Sequence, residues 1–447
     1  MARLRMPRAL APLRHGPFRL LVTGQVTSNL GDACYAVALP WYVLAGHGGT
    51  VLLGTVLAAY GLPRTAGIPV GGYLCDRWGA QALMLATDVL RAVAVAALAV
   101  VAAAGPARAA ELVPIAIVLG AGEGLFLPGS FSVIPALLPA GDLQAGNALA
   151  SAGTQLATLG GPAVGGAAVA LGSPALAFGL DAASFAVSAV TLAVLARLRA
   201  TAPSGGGHAQ PGQAGPGPGR PARLATILRS ERVLAVILIV NVAANLGSGG
   251  LDGVAIPALA HGPLHASAAG YGAILAAFGG GALIGTIAAG QASRVRRPAV
   301  TGSAAFLIEA AFIAAVPFLG STPAVAAAVA LLGVCNGFGN VVLITVFQQW
   351  APSALLGRLM SLLVLTSFGV YPVSVALAAF AGRGLGTSAF FLFAAGVLAV
   401  AILGGLSQRS WRDFGTRQAA DGTLTAVPGQ DSGQETGRAV GQETTAG

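Results

Sequence analysis

GGYLCDRWGAQ, Gly71 to Gln81, sets an acid beside a base between two apolar runs, with glycines on either side. Only 9% of the 447 residues are charged, so Asp76 and Arg77 stand out. A short polar turn between long apolar runs is how a chain re-enters a bilayer, and the rest of the sequence reads the same way. Hydrophobic residues make up 55% of the chain and its mean hydropathy is +0.78, against roughly 45–50% apolar usage in soluble domains.

A helix satisfies its own backbone, and about 20 mostly apolar residues of it cross the hydrocarbon layer. Apolar stretches of that length run over 17–44, 51–74, 82–104, 112–138, 144–172 and 174–198, then 232–260, 267–292, 299–319, 323–348, 357–382 and 385–406. The expectation is an all-α polytopic membrane protein with twelve transmembrane helices. The domain reading is a six-helix bundle over 1–198, a flexible Gly/Pro-rich linker over 199–231, a second six-helix bundle over 232–406 and a disordered tail over 407–447. Composition gives the linker: ATAPSGGGHAQPGQAGPGPGRPAR, Ala200 to Arg223, holds too little apolar surface to bury a core.

Formal net charge is +9, which raises nucleic acid as a partner until the arginines are placed. Apart from Arg64 and Arg91 inside spans, and Arg108 and Arg383 in outer loops, they fall in segments that share one face if each span crosses once. The positive-inside rule makes that face cytoplasmic, with both termini inside the cell and the chain in the plasma membrane. Four arginines precede the first run and Arg19 opens it, as in a signal peptide, but the run is too long and lacks a cleavage site, so it reads as a retained helix. No lysine occurs anywhere, which removes the P-loop Lys and with it a standard nucleotide motor. Cys34, Cys75 and Cys335 are isolated and the five histidines lack ligand spacing, so no metal, disulfide or catalytic centre is expected.

The halves echo one another. PAGDLQAGNALAS from Pro139 and PSALLGRLMS from Pro352 occupy equivalent turns, each with a leucine four residues after its proline. GGGALIGTIAAGQ and then SRVRR, Ser293 to Arg297, answer the opening stretch in the second half, keeping its basic charge and losing its acid. Duplicated halves of this kind place a small-molecule site near the midplane.

A charged group inside a span is costly against lipid, so it faces the protein interior and has a partner or a task. Asp88 and Arg91, three apart on one helix face, read as a buried ion pair, and Arg64 needs a carboxylate that the sequence does not identify. Asp32 follows Gln25, Ser28 and Asn29 along one face, and a buried carboxylate can exchange protons near neutral pH, which makes Asp32 the first proton-coupling candidate and Glu123 the second. Asp181, Asp252 and Glu309, nearer span ends or without polar companions, read as solvated or structural. Substrate-cavity candidates are Gln25, Asn29, Asn245, Asn336 and Asn340. In GGPAVGG, Pro162 removes a helix bond while Gly161, Gly165 and Gly166 allow close approach, so this span is expected to bend and pack tightly.

Gly72, Leu74, Asp76, Arg77 and Gly79 resemble the G-x-L-x-D-R-x-G loop of the major facilitator superfamily. PLRHGPFRLLVTGQVTSNLGDACYAVALPW at Pro12, LPGSFSVIPALLPAGDLQAGNALAS at Leu127 and APSALLGRLMS at Ala351 are similar to its enterobactin-exporter and macrolide-efflux-like branch. Gly161, Pro162, Gly165 and Gly166 resemble the G-P-x-x-G-G element of its exporters. The resemblance covers about residues 12–406 and implies two pseudo-symmetric bundles, a central cavity, alternating access and export coupled to proton entry. It further implies that Gly72, Asp76, Arg77 and Gly79 form a conformational latch with Gly357 and Arg358 at the start of span 11. The loop's usual basic continuation is replaced here by Ala80 and Gln81, which weakens such a latch.

The functional expectation is a secondary transporter, not an enzyme: a monomer in the bilayer that exports an antibiotic, drug or siderophore in exchange for protons, with the proton gradient in place of a cofactor. A proton-coupled nutrient importer is the alternative, and a membrane sensor or scaffold the more distant one.

Overall fold

A computed structural model gives residues 8–139, 142–201, 232–291, 297–350, 353–384 and 386–416. Twelve long helices account for almost all of these: α1 (Gly16–Ala45), α2 (Gly49–Trp78), α3 (Ala80–Ala104), α4 (Ala109–Leu137), α5 (Leu143–Leu171) and α6 (Pro174–Thr201), then α7 (Arg232–Gly250, continued through Leu251–Ala255 to His261), α8 (Ala268–Gln291), α9 (Pro298–Ala315), α10 (Thr322–Trp350), α11 (Ser353–Gly384) and α12 (Thr387–Ser407). There are no strands among the described residues. Ten of the helices are long and apolar enough to cross a membrane. The other two, α1 and α5, have 30 and 29 residues, about 45 Å of helix, but polar groups such as Gln25, Asn29, Asp32, Thr154 and Thr158 dilute their hydropathy.

The pairings of the first half recur six helices later. In the first half α2 packs on α4, α1 on α5 and α6, and α3 on α4 and α6; in the second, α8 packs on α10, α7 on α11 and α12, and α9 on α10 and α12. Across the halves α5 meets α8 and α2 meets α11, a pair of contacts related by the same exchange. This is the architecture of two pseudo-symmetric six-helix bundles.

Among the described residues, the core common to both halves starts at Val37 of α1 in the first half, while in the second it runs as far as Trp411 and Phe414. One large apolar cluster runs through both, from Val37 and Leu53 to Val254, Tyr271 and Phe390. At the end carrying the termini the cores separate: Phe18, Leu21, Met84 and Leu192 group in the first half, Leu234, Phe347, Leu359 and Leu363 in the second. Trp41 bridges the joined end, edge-on to His261 at 5.3 Å and stacked on Tyr271 at 6.4 Å. The bundle is therefore closed at one end and parted at the other.

Small residues make the closed end possible. A Cβ on Gly166 of α5 would lie 2.8 Å from the Ala268 carbonyl oxygen, and one on Gly272 of α8 would strike the Pro162 carbonyl, so backbone meets backbone across the halves. On its other side α5 presses Gly165 onto Cys34 of α1. The G-P-x-x-G-G stretch thus lies in an unbroken helix, with its glycines used for close approach.

The expected linker lies outside the described residues from 202 to 231, as does SRVRR except for Arg297. The tail needs a correction. It was expected to be disordered from 407, yet residues through Thr416 are folded, because SWRDF carries aromatics that find a slot. Trp411 is 1% exposed, its Nε1 donates to Ser303 Oγ at 3.0 Å, and it stacks on Phe414, which abuts Trp350.

Candidate functional site

Charge concentrates halfway along the first bundle. Arg64, the midpoint of α2, reaches Glu123, the midpoint of α4, with Nη2 to Oε1 at 2.7 Å. Both side chains are about one-fifth exposed. The guanidinium also lies 4.1 Å over the ring of Phe368 on α11, and Thr65 Oγ1 donates to the Phe368 carbonyl at 3.1 Å. Arg64 therefore belongs to a different pair from Asp88 and Arg91, and it ties a carboxylate of one half to an aromatic face of the other.

Beside it lies a fully buried pair. Arg91 Nη2 donates to Asp88 Oδ1 at 2.8 Å, Ser188 Oγ donates to Asp88 Oδ2 at 2.6 Å, and the guanidinium sits between Phe126 at 4.7 Å and Phe185 at 4.2 Å. Asp88 is 0% and Arg91 4% exposed.

Asp32, Glu123, Asp181 and Arg91 line one small cavity of about 20 Å³ together with Tyr35 and Tyr60, room for a single water. Of the two readings of Asp181, solvated or structural, its surroundings fit the second: it is 1% exposed and receives a hydrogen bond from Ser184 Oγ at 3.4 Å. Asp32 has neither a hydrogen bond nor an ion pair among the described residues and is half-buried. The stripe leading to it divides. Ser28 is buried, Gln25 is half-buried, and Asn29 Nδ2 donates to Thr154 Oγ1 at 3.0 Å.

The second half holds polar groups of a different kind. Asn245 joins Asn241 and Ser367 in a hydrogen-bonded cluster between α7 and α11. Asn340 Nδ2 donates to Asn336 Oδ1 at 3.1 Å, and Asn336 Nδ2 donates to Glu309 Oε1 at 3.0 Å. Glu309 is 6% exposed, which fits the structural rather than the solvated reading.

The opening loop sits at the parted end. Asp76 and Arg77 are exposed, nothing lies within 4 Å of where a Gly72 Cβ would be, and Gly79 turns the chain from α2 into α3 at φ +85°, a conformation that favours glycine. Gly357 and Arg358 lie on α11, but their side chains are outside the described residues. Sequence reasoning missed Phe368 and Ser188, since an aromatic and a serine in apolar helices carry no local signal of the arginine or carboxylate they meet.

The family model described as Major Facilitator Superfamily matches residues 21–251, just over half of the chain. Among curated proteins, the multidrug efflux pump Tap of Mycolicibacterium fortuitum is 29% identical over 140 residues, 31% of this chain and 34% of that protein, so the match spans about a third of the relative's length. Among solved structures, a POT family transporter in complex with thioalcohol conjugated peptide superposes with a TM-score of 0.67 at 14% identity, over 87% of this chain and 95% of that one. The nucleoside transporter NupG gives 0.65 at 12%, over 88% and 98%. At such identities the likeness is one of fold.

Proposed function

The chain belongs to the Major Facilitator Superfamily and is a multi-pass membrane transporter of a small molecule, not an enzyme, and from that premise we propose that it exports a small, partly apolar compound, such as an antibiotic, drug or siderophore, in exchange for protons. The observation that carries this reading is Asp32, a carboxylate halfway along α1 with no hydrogen bond or ion pair among the described residues, sharing a cavity with the Glu123 that holds Arg64 against the opposite half. A proton arriving at this cluster changes how firmly Arg64 is held. Arg64 rests on Phe368, so the change reaches the contact between the halves, where a proton can bias which end of the bundle is open. The partial likeness to the Tap efflux pump supports export over import.

On this reading the arginine-rich face and both termini are cytoplasmic, in the plasma membrane, and the parted end opens to the cytoplasm. The chain works as a monomer and needs no cofactor beyond the proton gradient. Everted membrane vesicles loaded with acid inside should accumulate the substrate, found by screening a compound panel in an efflux-deficient host. Accumulation driven by the opposite gradient would make the chain an importer.

The loop of Asp76 then closes the parted end. In the alternate state Asp76 meets the amino-terminal end of α11 near Gly357 and Arg358, where the helix dipole favours an acid. Asp76→Ala is expected to slow turnover severalfold while leaving equilibrium substrate binding intact. Undiminished turnover would remove Asp76 from the cycle.

A further inference from the structure

The second bundle has its own charged cavity. Among the described residues, the only acidic side chains well inside its helices are Asp252 of α7 and Glu309 of α9, and both line a cavity of about 50 Å³ enclosed by α7, α8, α9, α10 and α12. No basic residue lines it. Glu309 spends one oxygen on Asn336, while the other, Oε2, is buried with no hydrogen-bond partner. Asp252 is exposed, and it has no hydrogen bond or ion pair among the described residues. A buried carboxylate oxygen without a partner, with a second carboxylate on the same wall and no basic residue there, leaves this space short of a cation.

The backbone is built around this position. Helix α7 loosens into a π turn over Leu251–Ala255, which carries Asp252. Ser374 of α11 holds the turn's entry: its Oγ accepts from the Gly250 amide at 2.6 Å and donates to the Leu246 carbonyl, two groups that an uninterrupted helix would pair directly. A π turn with its own hydroxyl support is a feature commonly found at functional sites.

We propose that this cavity is a binding site for the ammonium head of a small alkylamine. A protonated primary amine supplies what Glu309 Oε2 lacks, an N–H donor with a positive charge. Phe278 and Phe391, also on the wall, offer aromatic surface to the same cation. The space is several times what one water needs and far below the roughly 300–1,000 Å³ of a drug-sized pocket, so it takes the head and a short chain, not a bulky body. Methylene groups of that chain lie against Leu251, Ile313 and Leu332. The site is separate from the Asp32 cluster and stands whether or not transport is coupled to protons.

The test is equilibrium binding to the full chain in lipid nanodiscs, with no gradient imposed, using n-butylammonium and its neutral analogue 1-butanol as probes. Calorimetry should show saturable binding of the ammonium and affinity for the alcohol weaker by about tenfold or more. Glu309→Gln, which keeps shape and removes charge, should weaken ammonium binding by a similar factor, and Ile313→Trp, which fills the cavity, should abolish it. Thermal melts of both variants establish that they are folded, and either one alone suffices to decide. Absence of saturable ammonium binding in the wild type, equal affinity for both probes, or undiminished binding in a folded variant would overturn the proposal.

Discussion

Asp32→Asn should reduce proton-driven accumulation in everted vesicles by about tenfold or more, to the level of vesicles without the protein, with normal amounts of protein in the membrane. The substitution keeps size and hydrogen-bonding capacity but cannot give up or take a proton. Exchange of labelled for unlabelled substrate at zero gradient should persist, since that process needs alternation without net proton movement. This separates coupling from folding and from substrate binding. The geometry favours Asp32 over Glu123 for the first place in the relay, because Glu123 is already engaged by Arg64 at 2.7 Å whereas Asp32 has no hydrogen bond or ion pair to give up among the described residues. Glu123 is better suited to hand the effect on, through Arg64, to Phe368 of the other half. Proton-driven transport unchanged in Asp32→Asn would remove this residue from the mechanism.

Much of the fold was legible because membrane helices announce themselves by length. Even so, α1 and α5 fall below the hydropathy of the other ten, and they are the helices that combine close contact within the first bundle with polar groups along one side. The Asp88–Arg91 pairing could be read from a spacing of three on one helix, since both partners are fixed by the same local geometry. Arg64 could not be assigned a partner, because Glu123 is on another helix and its approach depends on how α2 and α4 pack. Which of the two readings of Glu309, solvated or structural, applies could not be told for the same reason: Asn336 is 27 residues away on α10, so no local pattern shows that the carboxylate is buried and half satisfied. The tail beyond Ser407 was misjudged because its average composition hid two aromatics, Trp411 and Phe414, whose stacking outweighs the polar residues around them.

The largest effect on stability should come from Arg91→Met. Asp88 is fully buried, and its two oxygens are met by Arg91 and Ser188. Removing the guanidinium leaves a buried carboxylate with a single neutral donor, at a cost of about 3–5 kcal/mol. The detergent-solubilised protein should therefore aggregate at a markedly lower temperature. Methionine keeps the length and offers sulfur to Phe126 and Phe185, so the loss reports the charge and not a void between the rings. The informative comparison is Asp88→Leu combined with Arg91→Met. If the pair serves only to neutralise itself, the double variant recovers most of the stability, since two apolar groups can replace a buried ion pair at little cost. Transport should recover with it. A stable double variant that fails to transport would show instead that Arg91, which also borders the cavity of Asp32 and Glu123, sets the charge those carboxylates experience during the cycle.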